Sequence, residues 1–160
     1  MEQEPTIVER AEQPYVAIRG TVSMSGIGEF AGRTPEVFDW LAAHGVEPVG
    51  PVFFKYDVVD MEHGLTMQIG VPVEQAQTGD EQVVAGVLPS GRYASVTHIG
   101  HPDELMGATR DLLAWADEQK LEWDVDGDEW GSRLEVYKSD PREVPDMTKW
   151  ETELLFRLKN

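Results

Sequence analysis

At 160 residues the chain has the length of one ordinary domain, and with 41% hydrophobic residues it can bury a core. Its 30 acidic residues against 13 basic ones give a formal net charge of −17, a field that opposes nucleic acid and anionic membranes and keeps the surface soluble. It contains no cysteine, which excludes disulfides, thiolate metal sites and cysteine nucleophiles.

The start, MEQEPTIVERAEQP, lacks a basic segment followed by an apolar run and does not read as a signal peptide. No window approaches the ~20 apolar residues of a membrane span, so a cytoplasmic protein is expected. TIVERAEQPYVAIRGTV reads as strand, turn, strand, and the glycine-rich SGIGEFAG after it as a flexible loop. RTPEVFDWLAAHG reads as a helix: Thr34 can cap it, Pro35 suits its first turn and Gly45 ends it. Val37 and Leu41, with Phe38 and Trp40 beside them, supply its apolar stripe. GPVFFKYDVV and GLTMQIGVPV are strands separated by the turn DMEHG.

The second half repeats this order. EQVVAGVLPSGRYASVTHIG gives two strands about a Pro-Ser-Gly turn. DELMGATRDLLAWADEQKL is a helix with Asp103 as cap and Leu105, Ala108, Leu112, Leu113 and Ala116 as its stripe. SRLEVYKSD and WETELLFRL close the chain as strands. The order predicts an α+β fold, a tandem β-α-β-β pseudo-repeat over about 5–75 and 80–160 within a single domain spanning residues 1–160. Two antiparallel sheets are expected, with helices on one face and a ligand cleft between the halves. Tyr15 then corresponds to Tyr93, Tyr56 to Tyr137 and Gln68 to Glu153.

Catalytic and metal-binding patterns are weak. His98 and His101 stand near Asp103, but His44 and His63 are distant and no HExxH occurs, so no metal and no cofactor are expected. DVDGDEW lacks calcium-loop spacing and reads as an acidic turn. GIGEFAG is not a dinucleotide fingerprint, and no GxSxG is present.

The acids and aromatics remain. In LEVY, Glu135 and Tyr137 share one strand face and Leu134 and Val136 the other. In ETELLFRL, Thr152, Leu154, Phe156 and Leu158 line one face, and Glu151, Glu153, Leu155 and Arg157 the opposite one. Trp123, Trp130 and Trp150 crowd the same third of the chain, and Phe54 and Tyr56 share a face in the first half. Aromatic faces around a desolvated carboxylate suit a lipophilic cation. The same set can do proton chemistry, because burial raises a carboxyl pKa. Core aromatics with solvated acids are the plain alternative.

GPVFFKYDVV with GLTMQIGVPV, LPSGRYASVTHIGHPDELMGATRDLLAWADEQKLEW and LEVYKSDPREVPDMTKWETELLFRL occur in the order of a known family. The chain resembles the GyrI-like small-molecule-binding domains, which include the effector-binding domains of AraC-type and MerR-type multidrug regulators. The resemblance implies a cleft between the two halves that holds hydrophobic, often cationic, molecules over a central carboxylate. The matching positions are Glu135 with Tyr137, and Glu153, with Glu153 favoured because its strand lies near the expected pseudo-twofold opposite Gln68. Trp123, Trp130, Phe54, Tyr56, Gln68 and Trp150 complete the expected ligand-binding set. The expected partner is a small molecule, with no direct nucleic acid contact and no membrane, for a free-standing monomer or weak dimer. The resemblance also carries two alternatives: a hydrolase of reactive cyclopropanoid toxins in which Glu153 or Glu135 is catalytic, and a protein partner such as a regulator or gyrase.

Overall fold

The computed structural model describes residues 4–60, 62, 64–139 and 143–159. Positions 61 and 63 of the DMEHG turn and the Asp140–Pro141 turn lie outside the described residues. Thr6–Arg10 (β1) and Gln13–Val22 (β2) are followed by Ile27–Ala31 (α1), Thr34–His44 (α2), Phe53–Asp60 (β3) and Gly64–Pro72 (β4). Val84–Leu88 (β5), Gly91–Ile99 (β6) and Leu105–Glu118 (α3) repeat the pattern, then the two-residue strands Val125–Asp126 (β7) and Glu129–Trp130 (β8), Arg133–Tyr137 (β9) and Glu151–Arg157 (β10). No helix of the described residues is long and apolar enough to cross a membrane.

The fold is α+β, and the two antiparallel halves join edge to edge into one sheet in the order β1-β6-β10-β9-β3-β4-β2-β5. The seam is the β3–β9 pairing, where Phe53 meets Val136, Phe54 meets Glu135 and Lys55 meets Leu134. That register defines a pseudo-twofold axis through the seam, on which Phe54 maps to Glu135 and Tyr56 to Tyr137. Gln68 lies beside Lys55 and Glu153 beside Val136, so these two are also equivalent. Arg19 beside Gln68 and Thr97 beside Glu153 carry the relation to Tyr15 and Tyr93. The halves exchange their first strands: β1 pairs with β6 and β5 with β2.

Side chains of alternate residues point to opposite faces of a strand, and this sheet buries both. On one face α2 packs against β2 and β4, and α3 against β6. Val16, Ile18, Val37, Trp40, Leu41, Met67 and Ile69 form the core under α2, and Val96, Leu105, Leu112, Leu154 and Phe156 the core under α3. On the other face Tyr15, Phe53, Tyr93, Leu134 and Leu155 make a third cluster. The two helices leave the central strands β3 and β9 between them.

The helix boundaries depart from the sequence expectation for local reasons. SGIGEFAG is not a loop but a short 3-10 turn running into α1, whose Phe30 packs on β2; Gly20 makes room, because a Cβ there would stand 2.9 Å from that ring. Since α1 runs almost directly into α2, Thr34 does not cap: its hydroxyl donates to the Ala31 carbonyl (2.6 Å). Phe38 turns outward while Trp40 is buried. Gly45 ends α2 in the left-handed region, φ 67°. His101 rather than Asp103 makes the cap, at the 3-10 turn Pro102–Glu104 that runs into α3: its ring accepts from the Asp103 N–H, and Glu104 accepts from the His101 N–H.

Thr152 is 1% exposed on the helix face, and its hydroxyl has no partner among the described residues. A buried hydroxyl without a partner keeps its desolvation penalty. Thr152→Val is therefore expected to stabilise the fold by about 1 kcal/mol, read as a rise in the urea midpoint at constant slope; a loss of stability would show that the hydroxyl is partnered.

Candidate functional site: an aromatic groove over Glu135

β9 presents Arg133, Glu135 and Tyr137 to the helix face, and β3 presents Phe54 and Tyr56. Glu135 stands at the seam, and both symmetry-related tyrosines converge on it. Tyr137 donates its hydroxyl to Glu135 Oε1 at 2.7 Å, and Tyr56 donates to the same oxygen at 2.9 Å. Among the described residues no donor meets Oε2. Phe54 packs against Tyr137 with ring centroids 4.7 Å apart. All four side chains are half-buried rather than sealed, so the floor between the helices stays accessible.

The electrostatics follow from this placement. Burial pushes the Glu135 carboxyl above the usual carboxylate range, opposed by the tyrosine hydrogen bonds and by the Arg133 charge. Burial, and then the Glu135 charge, pushes both tyrosines far above their ordinary value, so they remain donors. Arg133 lies with its guanidinium carbon 4.7 Å from the Trp130 ring centroid and 4.7 Å from that of Phe156. Trp123 closes this cluster, 5.8 Å from both rings. The short β7–β8 hairpin, turned by Gly127 (φ 62°), positions Trp130 by pairing with β3.

The structure thus gathers Glu135, Tyr137, Phe54, Tyr56, Trp130 and Trp123 on one face, and places Glu153 and Gln68 on the other. Glu153 accepts from the Ser95 hydroxyl (2.5 Å) and lies 3.5 Å from Lys138 Nζ. Gln68 accepts from Tyr15 (2.8 Å) and donates to Asp57 (2.7 Å), which also pairs with Lys55. Arg157 serves Asp124 and the Ser90 carbonyl rather than Glu153. Trp150 donates to the Val144 carbonyl (2.7 Å) and pins the connection before β10. Arg133 was missed by the sequence reading; its position two residues before Glu135 on the same strand was the available signal.

A cavity of about 380 Å³ opens on the face away from the helices, lined by Phe53, Tyr93, Leu134, Val136 and Leu155, with Arg10 and Glu12 among the residues at its other walls. It lies behind the same seam as the groove, but among its lining residues only Glu12 is acidic, and Glu12 is exposed.

No curated protein sequence matches the chain. Among solved structures, the EcmrR C-terminal domain superposes with a TM-score of 0.79 at 17% identity, over 98% of each chain. The chain spans 57% of the longer EcmrR in its DNA complex, at TM-score 0.81 and 17% identity over 98% of this chain. SAV2435 bound to tetraphenylphosphonium matches at TM-score 0.71 and 14% identity, over 99% of this chain and 95% of that one. A hydrolase from Listeria innocua matches at TM-score 0.64 and 14% identity, over 98% and 92%. At these identities the likeness is one of fold. The sequence model of the GyrI-like small molecule binding domain matches residues 3–159, and the chain belongs to that family.

Proposed function

We propose that the protein binds a hydrophobic molecule carrying positive charge in the groove between α2 and α3, with the charge facing Glu135. One observation supports this most: a half-buried carboxylate at the seam has one oxygen fixed by two tyrosine hydroxyls, and the other takes no hydrogen bond among the described residues. The tyrosines orient the acid before the ligand arrives, and the surrounding rings offer apolar area and negative π faces. The proposed ligand set is Glu135, Tyr137, Tyr56, Phe54, Trp130 and Trp123. Glu153, Gln68 and Trp150 fall outside it. The tetraphenylphosphonium bound by SAV2435 supplies a suitable probe.

Titration of the protein with tetraphenylphosphonium should quench tryptophan fluorescence, through Trp130 and Trp123 beside the groove. Glu153→Gln should leave the affinity within about twofold, since its carboxylate faces the other side of the sheet. Loss of binding in Glu153→Gln, with Glu135→Gln unaffected, would move the ligand to the opposite face.

A second reading is favoured by the raised pKa of Glu135. A carboxyl whose pKa is raised by burial keeps its proton to higher pH and can give it to a strained electrophile, and in its ionised form it can take a proton from water, as the hydrolase reading requires. Turnover of a bound electrophile that stops in Glu135→Gln would establish it; turnover that persists there would remove Glu135 from the chemistry.

A further inference from the structure

Arg133 is not accounted for by cation binding. It shares a strand face with Glu135, its guanidinium carbon lies 4.7 Å from the centroids of both the Trp130 and Phe156 rings, which meet edge to face, and burial pushes its pKa below the usual arginine value. Yet among the described residues no carboxylate pairs with it and no acceptor takes a hydrogen bond from it. Its Nε is closed off from solvent as well. Guanidinium groups removed from water are normally matched by carboxylates or carbonyls, because five donors are left unmet otherwise. Here two mutually inclined rings hold the group, and its buried Nε has no acceptor among the described residues.

A cationic group at this point also works against a ligand that is only a cation. Arg133 partly offsets the Glu135 charge, and the two lie within electrostatic reach without forming an ion pair. This face therefore presents a carboxylate oxygen that takes no hydrogen bond and, two residues away on the same strand, a guanidinium with no acceptor among the described residues. On a chain of net charge −17, a local cation is what an anionic ligand group needs in order to approach.

We propose that Arg133 is a specificity-determining residue, and that the groove selects zwitterionic aromatic molecules whose cationic part meets Glu135 and whose carboxylate or similar oxyanion meets Arg133. This rests on the groove being the ligand site. A planar guanidinium fork suits two oxygens of one carboxylate, and its contacts with the Trp130 and Phe156 rings hold it in place in advance.

Rhodamine B and its ethyl ester test this, since they share one cationic ring system and differ in a free carboxylate. Dissociation constants are measured by fluorescence anisotropy on wild type, Arg133→Met and Glu135→Gln. The wild type should bind rhodamine B about tenfold more tightly than the ester. Arg133→Met should remove that preference by weakening rhodamine B, with the ester unchanged or tighter. Glu135→Gln should weaken both dyes. Equal affinity of wild type for the two dyes, or a preference that survives in Arg133→Met, overturns the proposal. Glu135→Gln weakening both dyes while Arg133→Met changes neither overturns it and leaves the cation site standing. Failure of both dyes to bind wild type overturns the two together. If Arg133→Met does not fold, Arg133→Lys replaces it: the fork is lost while stem and charge remain. The preference should then shrink, and an unchanged preference overturns the proposal. A purely structural Arg133 would lower the melting temperature of its variants and leave the dye ratio where it was.

Discussion

Glu135→Gln is expected to weaken the binding of an aromatic cation by about 2 kcal/mol, roughly thirtyfold, the scale of a contact to a charged, partly desolvated group. The same substitution is expected to stabilise the unliganded fold at neutral pH. Desolvation raises the folded pKa of Glu135, whereas the unfolded chain ionises it at the ordinary glutamate value. Between those two values the native state holds the extra proton, so its stability falls as pH rises through that window. Below the unfolded pKa the penalty disappears, and there the wild type and the glutamine variant should have matching stability. Above it the variant should melt higher. Arg133, Tyr56 and Tyr137 are the ionisable groups facing the carboxylate, and the tyrosines and the guanidinium keep their protons throughout this range. Cation affinity runs the other way: it should grow with pH as Glu135 ionises. Stability curves of the two proteins that stay parallel from acid to neutral pH would show that the carboxylate is solvated and has no special role.

Phe156→Ala is expected to have the largest effect on the fold, a loss of about 3–5 kcal/mol. Phe156 is 1% exposed, and its ring meets three neighbours at once: Trp123 and Trp130, each 5.8 Å away between centroids, and Arg133 above its face. Alanine would leave a cavity between α3 and the sheet and remove one of the two rings against which Arg133 lies. For a chain of this length such a loss lowers the melting temperature by about 10 °C. Phe156→Leu refills most of the volume and should lose much less. Near-equal urea midpoints for the alanine and leucine variants would show that the ring is not the keystone of this cluster.

Much of this architecture was legible from local rules. The apolar stripe Leu105, Ala108, Leu112 and Ala116 faces the sheet as its helical spacing requires. The alternation in LEVY and ETELLFRL separated Glu135 from Leu134 and Glu153 from Leu154. What alternation cannot tell is which face of one strand continues which face of the next. That depends on register, and register here is set at the seam, where Phe54 meets Glu135. Glu153 and Glu135 therefore looked like members of one site, although their strands point them to opposite sides of the sheet. The exchange of β1 and β5 between halves is likewise a long-range pairing with no local signature. Arg133 escaped notice because its value lies in what it lacks: a partner, which only the packed structure reveals.

The position of the ligand charge can be read from anomalous diffraction by crystals soaked with tetraphenylarsonium. An arsenic peak is expected within about 6 Å of the groove's aromatic rings, on the Oε2 side of Glu135 and between α2 and α3. A peak on the opposite face of the sheet, in the cavity lined by Phe53 and Leu134 or beside Glu153, would contradict this placement.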